Sequence, residues 1–199
     1  MSWDQRIETH DCVEQKMEWP AGPWLEEPDK IQWIDEATGL DCLIVRQSES
    51  GHLCGYAGVP PGHPLHGAPH SEPAAALREA WVRRQEQSIG DASPLVLLFA
   101  ARGDDEDPRP DCVFDVHGSL TFSGGCEEGG RICHVPQDDR SKDVWWYGFD
   151  CMHCRDFSPR DMARRKRGEW MIDQQATYKD IGYVRQQTEK LAAQLKEIG

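Results

Sequence analysis

Leu40-Asp-Cys-Leu-Ile-Val-Arg-Gln47, Ser48-Glu-Ser-Gly51 and His52-Leu-Cys-Gly-Tyr-Ala-Gly58 stand in succession. The outer two runs are apolar and β-branched or aromatic, and the middle one is turn chemistry. Together they predict a β-hairpin with a loop of about four residues. Upstream, Ile31-Gln-Trp33-Ile34-Asp35 predicts a short strand closing an irregular arm that carries Trp19, Pro20, Trp24 and Pro28. Downstream, Val59–His70 (VPPGHPLHGAPH) holds too much Pro and Gly for a regular element. This loop bears His63, His66 and His70.

Farther along, Ser71 reads as an N-cap, with Pro73 in the first turn, for a central helix reaching about Ser88. Leu77, Trp81 and Val82 would form its apolar face. Ser93–Ala101 reads as a buried strand and Asp104–Asp111 as an acidic surface loop. Cys112–Ser123 reads as a strand pair or a bent strand broken at Gly118. Gly124–Arg131 is a Gly- and Glu-rich loop. Ile132–Val135 and Val144–Asp150 follow as strands, and Phe157–Gly168 as a polar loop with the basic run Arg164–Arg167. From Tyr178 onward, Ile181, Val184, Thr188, Leu191, Leu195 and Ile198 recur at spacings of three and four, one stripe of a helix. The fold class expected is α+β: a mainly antiparallel sheet, a central helix and a long C-terminal helix. Residues 1–177 would form one α+β domain with an irregular N-terminal arm, and 178–199 an amphipathic helix. The heptad-like stripe further predicts a homo-oligomer paired through that helix.

The 199 residues carry a net charge of −13 and eight Trp. Indoles are costly to leave in water, so they must fill a core or line a pocket. The acidity disfavours broad binding to nucleic acid or anionic lipid, but suits a basic protein partner. The start, MSWDQRIETHDCVEQ, has no apolar signal-peptide core, and the longest apolar run, Leu95–Ala101, is too short to span a bilayer. A cytoplasmic protein is expected, in which the eight Cys would be thiols or metal ligands rather than disulfides.

Two blocks concentrate reactive side chains. In Asp115-Val-His117-Gly-Ser-Leu-Thr121, a β-like segment would place Asp115 and His117 on one face, and Gly118 would let the chain bend or a ligand approach. Carboxylate plus imidazole suits a metal or an oriented general base. The bland alternative is a surface Asp beside a His satisfied by backbone. Asp150-Cys-Met-His153-Cys-Arg-Asp156 follows an aromatic strand, where a rigid scaffold would present a loop site; the alternative is that Asp150 caps a short turn. Cys151 and Cys154, with Cys126 and Cys133, could make a four-thiolate zinc site, although the first pair is spaced too widely for a common ribbon, and free buried thiols are the simpler state. His117-Gly-Ser119 matches half of a two-histidine phosphoesterase motif, without a second copy. The basic run Arg164–Arg167 is a solvated loop or a contact for phosphate or an acidic partner.

Gly58-Val-Pro-Pro-Gly-His63-Pro-Leu, Val116-His117-Gly-Ser-Leu-Thr121-Phe, Trp145-Trp-Tyr-Gly-Phe-Asp150-Cys-Met-His153 and Tyr178-Lys-Asp-Ile-Gly-Tyr-Val resemble a family of small phage and prophage proteins. The resemblance runs from about Trp24 to Leu195. The family usually has a second Gly where this chain has Ser119 and commonly lacks Cys at Cys154, which argues against the four-thiolate site. It implies an accessory phage gene acting in the bacterial cytoplasm, with interference with host defence as its expected role, and no established activity. The expected function is then a metal-dependent hydrolase of a phosphorylated or nucleotide-like small molecule. His117, Asp150 and His153 would hold zinc or another divalent metal, and Asp115 and Asp150 would be the catalytic carboxylates. His63 would close over the ligand. The alternative is a non-enzymatic binder, a nucleotide sponge or an inhibitor of a host protein, with Trp145, Trp146 and Tyr147 stacking on a base.

Overall fold

The computed structural model describes residues 8–10, 14–89, 107–126, 131–136, 140–166 and 175–199, and the hairpin is at its centre. β1 (Glu8–His10), β2 (Lys30–Ile34), β3 (Asp41–Arg46), β4 (Leu53–Val59), β5 (Phe122–Gly125) and β6 (Trp145–Asp150) form one six-stranded sheet in the order β1-β2-β3-β4-β6-β5. Every pairing in it is antiparallel. Arg46 lies opposite Leu53 and the Gln47 amide donates to His52 O at 2.8 Å, so Ser48–Gly51 is the loop, as its turn chemistry predicts. Gly51 has φ +81, and a Cβ there would fall 2.4 Å from Pro159 Cγ.

Side-chain alternation divides the core in two. Cys42, Ile44, Leu53, Ala57, Val59, Tyr147 and Phe149 belong to one cluster; Leu43, Val45, Cys54, Tyr56 and Trp146 belong to the other. The first is covered by α4 (Ile181–Lys196), which begins at the Asp180 cap, whose carboxylate accepts the Tyr183 amide. Val184, Leu191, Ala192 and Leu195 of α4 are buried in that cluster, each large aliphatic side chain contributing about 1.5–3 kcal/mol. Gly55 permits the close approach: a Cβ there would sit 2.3 Å from Thr188 Oγ1. The stripe expected to pair with a second copy is thus occupied by the chain's own sheet. Spacings of three and four serve a helix on a sheet as well as a helix on a helix. The α+β class, with its antiparallel sheet and long C-terminal helix, is as expected.

The irregular arm is fastened by ions. Arg46, fully buried, donates through Nε to Asp29 Oδ1 at 2.9 Å and through a terminal nitrogen to Glu27 Oε2 at 2.8 Å. Its other nitrogen reaches Gly51 O at 2.9 Å and the Tyr178 hydroxyl at 2.8 Å. Glu27 also accepts the Ile181 amide at 3.3 Å, joining arm, hairpin and the start of α4.

Elsewhere the chain departs from its local signals. The central helix does not start at Ser71. The Ala74 amide donates to Pro108 O at 3.0 Å and the Asp111 amide to His70 O at 3.0 Å, which holds that stretch against its neighbour. A 3₁₀ turn, Ala75–Leu77, then leads into α1 (Arg78–Ile89). The expected strands across Cys112–Ser123 are replaced by α2 (Pro110–Val113), an unpaired stretch and β5. Phe114, Val116 and Leu120 are buried in that stretch, so its period-two pattern was real, but Gln194 of α4 stands where a strand partner would. Its amide accepts from Asp115 N at 2.8 Å and donates to Asp115 O at 3.1 Å. Gln32 does the same for Val135, at 2.9 Å in both directions, so Ile132–Val135 is no strand either. Phe157–Gly168 is not all loop: α3 (Pro159–Lys166) follows Ser158. Ser158 N donates to Asp161 Oδ2 at 3.0 Å and Asp161 N to Ser158 Oγ at 3.3 Å. Ser158-Pro-Arg-Asp161 is a capping box with Pro at its first helical position. A short parallel ladder joins β7 (Asp156–Phe157) to β8 (Thr177–Tyr178). The strand expected at Ser93–Ala101, and Arg167 of the basic run, lie outside the described residues. Among the described residues no helix is long and apolar enough to cross a membrane.

Candidate functional site

Both reactive blocks meet beside the first turn of α4, through Asp156, the last residue of the second block. Asp156, with a side chain 2% exposed, accepts His117 Nε2–H at 2.7 Å. On the other side of the ring, His117 Nδ1 lies 2.9 Å from the Tyr183 hydroxyl. The carboxylate can only accept from Nε2, so neutral His117 turns the Nδ1 lone pair toward Tyr183. Asp156 Oδ2 also accepts the His153 amide at 2.8 Å, and Lys179 Nζ stands 3.6 Å from its other oxygen. Lys179 lies over the Tyr183 ring as well, 5.5 Å from its centroid. Burial, then the nearby Cys151 and Asp156, push the Tyr183 phenol above its usual range, so at neutral pH it is a proton donor.

His153 completes the group. Its ring lies 5.5 Å from that of His117, and its buried Nε2 has no hydrogen-bond partner. Asp150 Oδ1 is 3.6 Å from it and is itself engaged by the Met152 amide at 2.9 Å, the turn-capping role weighed for Asp150. Gly118, with φ +69, makes room for His153, because a Cβ there would fall 2.0 Å from its Nε2. Among the described residues, two non-glycine ones also have positive φ, Ser119 at 110° and Arg155 at 69°. One follows the His117–Gly118 bend and the other directly precedes Asp156. Backbone in this region costs about 1–3 kcal/mol per residue and collects where a site must be held in shape.

The remaining candidates are placed otherwise. Asp115 and His117 both reach α4 but meet different partners: the exposed Asp115 carboxylate pairs with Lys190 at 2.6 Å, about two helical turns along from Tyr183. His63 donates to or accepts from nothing near His117. Its Nε2 meets Leu195 O at 3.0 Å and its Nδ1 accepts the Leu65 amide at 3.1 Å. Leu195 is twelve residues along α4 from Tyr183, about 18 Å at helical rise, so His63 ties down the far end of the helix. Trp146 and Tyr147 are fully buried and not open to a base. Tyr147 donates to Leu65 O at 2.8 Å, and half-buried Trp145 donates to Ala68 O at 3.0 Å, so both pin the Pro-rich loop. Their hydrophobicity signalled a pocket wall and a core wall equally.

The residues expected to hold a metal are neighbours: the His117 and His153 rings are 5.5 Å apart and His153 Nε2 is 3.6 Å from Asp150 Oδ1. Both nitrogens of His117 are committed, and among the described residues no group of three or more His, Cys, Asp or Glu is gathered for a metal ion. The four thiols of the zinc alternative are divided by the sheet: Cys151 belongs to the core under α4, while Cys126 packs on the opposite cluster. The sequence alone assigns no role to Asp156, although it closes the second block, or to Tyr183. Asp156 carried one available signal, an acid three residues after His153 that could fold back on the His153 amide. Tyr183 carried none beyond its place on the polar side of the helix. The chain matches no family model, no curated protein and no solved structure.

Proposed function

We propose that the chain is an acid–base hydrolase of a small phosphorylated or nucleotide-like molecule, with His117 as its proton carrier. The hydrogen-bonded line Asp156–His117–Tyr183, at 2.7 and 2.9 Å, carries this reading. Asp156 fixes the ring tautomer and stabilises the imidazolium when it forms, the role a buried carboxylate has in other His–Asp pairs. His117 Nδ1 takes the proton of an attacking water that stands in the place of the Tyr183 hydroxyl, and the proton it gains later returns to Tyr183. Tyr183, kept protonated, gives one to the departing group. His153 Nε2, buried without a hydrogen-bond partner, is a donor or acceptor not yet spent within the protein. Lys179 supplies positive charge beside Asp156 and suits an anionic substrate. An accessory role for a phage against its host is part of the same proposal.

No step is routed through a metal. Zinc or another divalent ion on His117, Asp150 and His153 would first have to displace Asp156 or Tyr183 from His117. Elemental analysis of protein purified without chelator checks this: close to one equivalent per chain, lost in both His117→Ala and His153→Ala, would replace the acid–base reading by a metal one.

The test is a panel of cyclic and linear nucleotides, incubated, denatured and analysed for product. Turnover is expected, falling about 10²–10⁴-fold in Asp156→Asn while binding is retained. Nucleotide returned intact at one equivalent or less per chain would make the protein a sponge. Full turnover in both Asp156→Asn and His117→Ala would remove the relay from the chemistry.

A further inference from the structure

On the opposite face of the sheet from α4, a second reactive cluster surrounds His134. Cys126 Sγ lies 3.8 Å from His134 Nδ1, and Cys133 Sγ lies 3.8 Å from the carbonyl oxygen of the same residue. Both cysteines are half-buried and unpaired. The Trp146 indole donates to Cys126 Sγ at 3.3 Å, a contact that strengthens as the sulfur gains negative charge. The His134 ring stands edge-on to Trp146, 5.4 Å between centroids, and its Nε2 is buried without a partner. We propose that Cys126 and Cys133 are a redox pair that closes to a disulfide by exchange with a low-molecular-weight disulfide.

The step balances in two exchanges. Cys126 passes its proton to His134 Nδ1, and its thiolate attacks the small disulfide, releasing one small thiolate and leaving a mixed disulfide. Cys133 then loses its proton to solvent and attacks Cys126 Sγ, and the second small thiol departs. Two protein thiols are oxidised by two electrons, and one small disulfide is reduced to two thiols. Burial keeps His134 below the ordinary imidazole range, so its neutral ring is available as acceptor. Cys126, which has His134 Nδ1 and the Trp146 N–H beside its sulfur, is the first attacker, and Cys133, whose thiol burial and the neighbouring Cys126 push up, is the resolving thiol. The other described cysteines lack this arrangement. Burial raises Cys42, Cys54 and Cys151, and Cys112 and Cys154 are exposed.

Closure would turn the thiol that Trp146 now meets into a neutral disulfide sulfur, which cannot gain the charge of a thiolate. Trp146 belongs to β6, whose end leads into Asp150–Asp156, so the pair is read by the strand that carries half of the candidate site. The inference does not depend on that site being catalytic.

The experiment uses the full chain in mixtures of reduced and oxidised glutathione, quenched by acid, alkylated and mapped by peptide mass. Cys126 and Cys133 are expected to lose their labels together, regain them together on reduction, and appear as one intramolecular bridge. Cys133→Ala should halt at a glutathione adduct on Cys126. Retention of both labels while another pair oxidises, or stable glutathione adducts on wild-type Cys126 without closure, would overturn the proposal. The wild-type mapping decides the matter even where the variant fails to fold.

Discussion

Two buried polar clusters flank the start of α4, and they are built to opposite ends. Around Arg46, every nitrogen of the guanidinium has a protein partner, and the attached carboxylates, Glu27 and Asp29, come from one short segment. Around His117, the carboxylate of Asp156 is as deeply buried as Asp29, yet His153 Nε2 is left without a partner and the backbone bends through positive φ on both sides. A closed network fixes the fold. An open one, held in a strained shape, is what substrate binding requires. Both bridge distant segments, so burial and charge alone do not tell them apart; the unspent hydrogen bond does.

If that distinction is right, breaking the first cluster harms stability and breaking the second harms chemistry. The largest effect is expected for Arg46→Met. It leaves Glu27 and Asp29 without their main counter-charge, and urea unfolding should show a loss of about 3–5 kcal/mol. A loss under about 1 kcal/mol would mean that water already reaches the network and that it resembles a surface pair. Gly118→Ala comes next. Its methyl would meet His153 and sit in a left-handed backbone, which costs about 1–2 kcal/mol and displaces the ring. Turnover should fall far more than the melting temperature, and intact turnover would detach His153 from the site.

Acid should sharpen the contrast further. Burial holds His52 and His63 below the ordinary imidazole value of 6.5. The unfolded chain therefore takes up these protons more readily than the folded one. Their contribution to stability is complete above that value and is lost as pH falls from there through the folded-state values. Urea midpoints taken downward from neutral pH should decline in this window, and His52→Gln should flatten part of the decline. An equal decline in that variant would assign the acid sensitivity to other groups.

The smallest effect is expected for Ser119→Gly. Glycine relieves a φ of 110°, about 1–2 kcal/mol, and forfeits the hydrogen bond from Ser119 Oγ to Asp111 O at 2.8 Å, about 0.5–1.5 kcal/mol. A slight rise in melting temperature is expected. A clear fall would show that the hydroxyl holds the bend rather than merely tolerating it.

What could be read from the residues alone was what neighbouring residues decide. The hairpin at Leu40–Gly58 came from alternation and turn chemistry, and α4 from its stripe, because both patterns concern side chains only a few positions apart. The blocks around His117 and His153 were also visible, as residue types near a glycine and at a strand end. Ser158-Pro-Arg-Asp161 was legible too, as a capping box, and was passed over. Which partner each group takes was not legible. His117 and Asp156 are 39 positions apart, and His117 and Tyr183 are 66, so no period connects them. Period two at Phe114–Leu120 promised a strand, but a glutamine side chain took the partner's place. The stripe on α4 was fixed by sequence, and its occupant by the sheet face left open beside it. Tertiary structure made these choices because burial is non-directional: it states that a face must be covered, while only the packed chain determines what covers it.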